Sequence, residues 1–175
     1  MALGLTAAGA CCIVAGSSGW GLLIARQLRR RPAELARLAG ALQSLRTEVD
    51  YARTPLPQAL RRAGQSDAGP AGLLLRGTAE RLDRGGGAGP ADAWSAALAE
   101  AGDRSAWAPS DVEELTRLGQ ALGGSDAADQ VRHLALAIAR LHTAEGESAA
   151  LAERQARMWS YLGVLAGLAL VLAVL

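Results

Sequence analysis

Apolar positions through the middle of this 175-residue chain recur at intervals of three and four, the spacing of one helix face. Leu35, Leu38, Leu42, Leu45 and Val49 make the first stripe. It comes after Pro32, which suits a helix start because its missing N–H would have no intrahelical partner there. That helix should stop near Arg53, since Pro55 disfavours helical geometry at Thr54, and Thr54 can cap the next helix. This second helix is short and runs to Gly64. Gly69-Pro70 opens a third with Leu73, Leu74 and Leu82, ended by Gly85-Gly86-Gly87, and Pro90 opens a fourth with Trp94 and Leu98. Ser110 with Glu113 predicts a capping box for a fifth through Leu115, Leu118 and Leu122, closed by Gly123-Gly124. Ser125 or Asp126 caps a sixth, with Val131, Leu134, Ile138 and Leu141 on its apolar face. Beyond these only Gly146 weakens the pattern, at about 1 kcal/mol relative to Ala, so one helix can run on to the C-terminal end. No β-rich stretch occurs. The pattern predicts an all-α fold, a compact bundle of about six helices between an N-terminal and a C-terminal transmembrane helix.

The terminal helices are expected from two uncharged runs. Residues 1–25 carry no charged side chain and are followed by Arg26, Arg29, Arg30 and Arg31; Arg154 and Arg157 precede the uncharged run 158–175. At about 1.5 Å per residue against a hydrocarbon core of about 30 Å, the first run spans with tilt and the second is just long enough. Trp20, Trp159 and Tyr161 lie on the arginine side of each run, where interfacial aromatics belong. A secretory signal peptide needs its basic residues before the apolar stretch rather than after it, so the first run reads as a retained anchor. Ala8-Gly9-Ala10 before Cys11 is a poor lipoprotein match. The arginine bias places 26–157 in the cytoplasm and both termini outside. The expected domains are an anchor at 1–25, a cytoplasmic helical bundle at 26–157 and a transmembrane helix at 158–175.

Charge changes this picture little. Residues 26–62 hold nine Arg against three acids, and 63–153 hold seven Arg against fourteen acids. A basic stretch beside anionic headgroups and an acidic remainder facing away is electrostatically sensible. The chain has no Lys, Asn or Phe, residues with AT-rich codons, so its arginine content reflects a GC-rich gene. With few aromatics to stack bases, nucleic acid is not expected as a partner. Both cysteines, Cys11 and Cys12, lie in the first apolar run, leaving the middle segment without disulfide or thiolate chemistry.

Candidate chemistry is sparse. A Walker-type phosphate loop needs a lysine, which the chain lacks. The glycines at 85–89 have no preceding strand and the wrong spacing for a dinucleotide. His133 and His142 are nine apart, half a helical turn in phase, and cannot share a metal. Asp129 and His133 at i, i+4 read as an exposed ion pair. Glu113 and Glu114 sit in a helix's first turn, where carboxylates favour the dipole. No serine has a nucleophile-elbow context. The sequence therefore predicts no enzyme, no cofactor and no metal. In the second apolar run Gly163 and Gly167 form a G-x-x-x-G, a packing motif for helices in lipid that leaves self-association open.

Three stretches carry a resemblance. They are Ala41-Leu42-Gln43 through Glu48 and Tyr51 to Thr54-Pro55-Leu56-Pro57-Gln58-Ala59-Leu60; Leu118-Gly119-Gln120-Ala121-Leu122-Gly123-Gly124-Ser125-Asp126 with Gln130; and Leu162-Gly163 with Gly167-Leu168. Ala93-Trp94 also fits. Over nearly its whole length the chain resembles the stage III sporulation protein AB (SpoIIIAB) family, related to the F-type inner-membrane platform proteins of type II secretion and type IV pilus systems. The resemblance implies a place in the mother-cell membrane complex that joins mother cell and forespore and supports forespore development. It implies as partners the bilayer, a cytoplasmic secretion-type sporulation ATPase and other membrane proteins of the stage III complex. The chain departs from the family pattern in using Arg for Lys, in lacking Phe and in the Ala/Gly-rich stretch 85–102. Thr54, Pro55 and Pro57 are expected to set one turn, and Gly119, Gly123, Ser125 and Asp126 another, chiefly as architecture. The leading reading is a non-enzymatic membrane platform that docks an ATPase. The alternative is a membrane-tethered regulator or adaptor that binds a cytosolic signalling partner through its acidic surface.

Overall fold

A computed structural model describes residues 29–51, 54–85, 89–122 and 127–174. The described residues form six α-helices and no strand: α1 (Arg30–Asp50), α2 (Leu56–Gln65), α3 (Pro70–Asp83), α4 (Pro90–Asp103), α5 (Pro109–Leu122) and α6 (Ala127–Val174). The chain divides into two compact units, Arg31–Gly146 and the pair of segments Met1–Arg30 and Glu147–Leu175.

The unit Arg31–Gly146 is a helical bundle around one apolar core. Leu35, Leu38, Leu42 and Leu45 are wholly buried and Val49 nearly so, as their spacing predicts. Each buried leucine contributes about 1.5–3 kcal/mol of transfer free energy. Leu60, Leu74, Leu75, Trp94, Leu115, Leu134 and Leu141 join the same core, so every helix supplies to it. In α3 the buried pair is Leu74 and Leu75, while Leu73 and Leu82 lie at the core's edge.

Helix ends track the breakers with small shifts. Gly85 takes φ +64° and donates to the Leu82 carbonyl, a left-handed cap that only glycine adopts without strain; Gly86, Gly87 and Ala88 are outside the described residues. The helix α5 starts at Pro109, one residue before the expected cap Ser110. Its reciprocal cap bond comes from Asp111, whose carboxylate accepts the Ala108 N–H at 2.8 Å. Proline at the first helical position needs no N–H partner, which moves the start forward by one residue.

The helix α6 continues through Gly146 without a break, 48 residues in all. In its second part Ser148 and Ala152, one turn apart, are buried, whereas Leu151, Met158, Leu162 and Leu165 are exposed. Among the described residues no helix is long and apolar enough to cross a membrane. The first expected span, 1–25, lies outside the described residues, and so do most side chains of 158–175.

Candidate functional site

The Thr54-Pro55-Leu56-Pro57 turn is built from its own restrictions. Pro55 is the residue preceding α2, at φ −53° and ψ 136°, and Pro57 lies in the first helical turn, where its absent N–H costs nothing. Thr54 does not cap α2 as expected. Its hydroxyl turns back and donates to Glu48 Oε2 at 3.0 Å, while its N–H reaches the Glu48 carbonyl at 3.4 Å. Arg62 donates to the same carboxylate oxygen at 3.0 Å. Glu48 thus ties the last turns of α1 to the turn and to α2.

The second motif stretch does two different things. Gly119 lies inside α5 rather than in the connection after it. A Cβ there would fall 2.1 Å from Trp94 Cδ1, so the absence of a side chain lets the indole lie against the helix. Trp94 Nε1 then donates to the Leu115 carbonyl at 2.8 Å, which satisfies the one polar atom of a buried ring. Gln130 reaches back from α6, its Nε2 donating to the Leu122 carbonyl at 3.1 Å, one of the orphan carbonyls at the end of α5. Gly123, Gly124, Ser125 and Asp126 lie outside the described residues. Gly163 and Gly167 fall within α6, but their packing is outside them too.

Residues of the first stretch and Gln130 of the second, far apart in sequence, meet. Val49 and Asp50 at the end of α1, Thr54 and Leu56 at the turn, and Ala128, Gln130 and Val131 at the start of α6 line an open cleft of about 680 Å³. Tyr51, next to Asp50, is 83% exposed. The cleft has an aliphatic floor in Val49, Leu56 and Val131, and its lining includes no nucleophile beside a base. The one hydroxyl of that lining, on Thr54, is committed to Glu48 as a donor.

Other candidates resolve into surface ion pairs. Asp129 pairs with Arg132 at 3.1 Å rather than with His133. The i, i+3 arginine is a permanent cation with a longer reach, so it takes the carboxylate. His142 Nδ1 lies 3.1 Å from Glu145. Among the described residues no group of three His, Cys, Asp or Glu is placed to hold a metal. Several acids of this stretch pair with arginines: Glu80 with Arg84, Asp83 with Arg61, Glu100 with Arg81 and Arg104, Glu113 with Arg117, and Glu114 with Arg117 and Arg140. Glu113, as hydrogen-bond partner and as charge, raises the Arg117 guanidinium above its ordinary value.

Sequence reasoning missed one cluster at the first turn of α1. Arg31 donates through Nε and Nη2 to the two oxygens of Asp111, both at 3.0 Å, and Asp111 is buried. Glu34 is buried as well and accepts the Ala106 N–H at 2.7 Å. The signal was available: Glu34 sits four residues before Leu38, on the apolar stripe itself, and a carboxylate there needs a buried donor. In the same α4–α5 connection Trp107 Nε1 is buried without a hydrogen-bond partner among the described residues.

The Stage III sporulation protein AB family (spore_III_AB) matches residues 6–175. The Stage III sporulation protein AB of Bacillus subtilis (strain 168) is 32% identical over 164 residues, covering 94% of this chain and 95% of that protein. A solved structure of Stage III sporulation protein AB (SpoIIIAB) has a TM-score of 0.66 and 30% identity, covering 71% of this chain and 97% of that one.

Proposed function

The chain belongs to the stage III sporulation protein AB family, and from that premise we propose that it is a non-enzymatic membrane platform of the complex joining mother cell and forespore. In this reading the runs 1–25 and 158–175 are its two spans, residues 26–157 are cytoplasmic on the mother-cell side, and the helical bundle docks a cytoplasmic secretion-type ATPase. The observation that carries the docking role is the cleft itself: residues of the first family-like stretch and Gln130 of the second line one open surface.

The anchoring role is supported by the arginines flanking each uncharged run and by the exposed stripe of Met158, Tyr161, Leu162 and Leu165 on α6. Apolar side chains on that scale are costly in water and ordinary in lipid. The regulator reading draws less support, because several of the acids it would offer a partner already pair with arginines. The platform reading is tested with the full chain in lipid nanodiscs and the purified companion secretion-type ATPase. Saturable binding is expected, and its absence overturns the docking role.

A further inference from the structure

We propose that residues 1–28 lie antiparallel along one face of α6, the face that carries Ser148, Ala152 and Ala156, so that the two ends of the chain close into a helical hairpin within a single copy. The inference deepens the anchoring half of the platform reading and makes no use of its docking half.

The two ends leave the bundle together. Gln130 on α6 donates to the Leu122 carbonyl at the end of α5, and Arg140, further along α6, pairs with Glu114 near the start of α5, so α5 and α6 run antiparallel. Arg31 at the start of α1 holds Asp111 in the first turn of α5, while Val49 and Asp50 at the other end of α1 share a cleft with Ala128, Gln130 and Val131. Hence α1 is antiparallel to α6 as well. The chain enters the bundle at Arg31 at the same end at which α6 leaves it near Gly146.

Past that end α6 keeps a covered face that the bundle's core does not account for. Among the described residues the core draws on α6 from Leu134 to Leu141, with Ala144 at its edge. Ser148 and Ala152, beyond it, are still only 6% and 4% exposed, and Ala156 is half-buried. At about 100° per residue these three share one side of the helix, and the same register brings in Gly163 and Gly167. Leu151, Met158, Leu162 and Leu165 fall on the other side and are exposed. A covered side of small residues and an open side of large ones is the pattern of a helix packed closely on one neighbour.

That neighbour belongs to the same chain, because the burial exists within one copy. The compact unit that holds Glu147–Leu175 has Met1–Arg30 as its other member. As a helix, residues 1–28 would reach about 40 Å, the length of α6 from Ser148 to its end. A second copy fits poorly: it would have to displace a segment tethered at the same end of the bundle, whose effective concentration is high.

The register sets the test. Asp50 and Gln130 line the same cleft, and equal rise on two antiparallel helices carries that pairing to Ile24 beside Ala156. The full chain in isolated membranes, with Cys11 and Cys12 replaced by alanine and a protease site inserted between Gly85 and Gly89, receives Ala156→Cys together with one of Leu22→Cys, Leu23→Cys, Ile24→Cys or Ala25→Cys. Scanning one full turn keeps the test from hanging on one substitution, and unchanged thermal melting shows that the bundle is intact. After oxidation and cleavage, at least one pair should hold the two halves together on a non-reducing gel. Met158→Cys, two residues away on the open side, should join none of them. If Ala156→Cys joins none, or Met158→Cys joins them equally well, the hairpin is wrong. A product of two whole chains before cleavage, in place of joined halves, overturns it in favour of contact between copies. Binding of the companion ATPase is measured separately on the parent chain, so the docking role and the hairpin can each fail alone.

Discussion

The indole of Trp94 fills the space that a side chain at Gly119 would need. A Cβ there would lie 2.1 Å from Cδ1 and 2.8 Å from Nε1, the atom that donates to the Leu115 carbonyl. Helix propensity favours alanine over glycine by about 1 kcal/mol, yet Gly119→Ala forces apart two buried elements of the core. We expect a net loss of about 2 kcal/mol or more, seen as a fall of several degrees in thermal melting. Trp94→Leu makes room, so the double variant should cost less than the sum of the singles. Additive losses would show that the two positions do not press on each other.

Gly72 sets a stricter requirement. Its Cβ would meet the Asp67 carbonyl oxygen at 1.8 Å and the Gly64 carbonyl oxygen at 2.8 Å, and its N–H donates to Asp67 Oδ2 at 3.1 Å. Backbone cannot swing aside as a side-chain tip can. Gly72→Ala should therefore cost more than about 3 kcal/mol, above the usual range for overpacking. Gly146, by contrast, has open space around its Cα. Gly146→Ala in α6 should stabilise by up to about 1 kcal/mol. Two glycine-to-alanine changes of opposite sign in denaturant unfolding would confirm the distinction; equal signs would contradict it.

Asp111 serves two partners at once, the Arg31 guanidinium and the Ala108 N–H at the start of α5. Removing one side of a buried pair costs about 3–5 kcal/mol, and the 31% exposure of Arg31 lowers that figure here. We expect Asp111→Ala and Arg31→Ala each to lose about 2–4 kcal/mol, the first by removing both bonds and the second by leaving a carboxylate that is 3% exposed without its guanidinium. A double-mutant cycle on melting temperature measures their coupling. Additive losses would mean that the pairing of Arg31 with Asp111 contributes nothing.

Much of the fold was legible because its determinants are local. The stripe from Leu35 to Val49 needs only the helical period, and the end of α3 needs only a glycine that can take positive φ. The contacts of Gly72 and Gly119 were not legible as such, since a glycine that admits an indole or a backbone carbonyl looks in sequence like one that makes a turn. Thr54 failed as a cap for a related reason: the hydroxyl had a stronger acceptor, Glu48, six residues upstream, and nothing in the local pattern reveals that choice. The cleft depends on α6 returning to the end of α1. That is a tertiary fact, and the sequence announced it only as two motifs of unexplained co-occurrence.

Topology yields the last prediction. The arginines Arg26, Arg29, Arg30, Arg31, Arg154 and Arg157 all lie on the inner side of the two uncharged runs, and arginine beside a span marks the cytoplasmic face. Ser66, in the α2–α3 connection, is exposed, and its hydroxyl donates to the nearby Ala63 carbonyl at 3.0 Å, so a thiol in its place is reachable by reagent without disturbing the core. In a chain with Cys11 and Cys12 replaced by alanine, Ser66→Cys should resist a membrane-impermeant maleimide in intact cells and react after lysis. A cysteine appended after Leu175 should do the reverse. Labelling at position 66 in intact cells would put the cleft on the wrong side of the bilayer for any cytoplasmic ATPase, and the docking role would fall with the orientation.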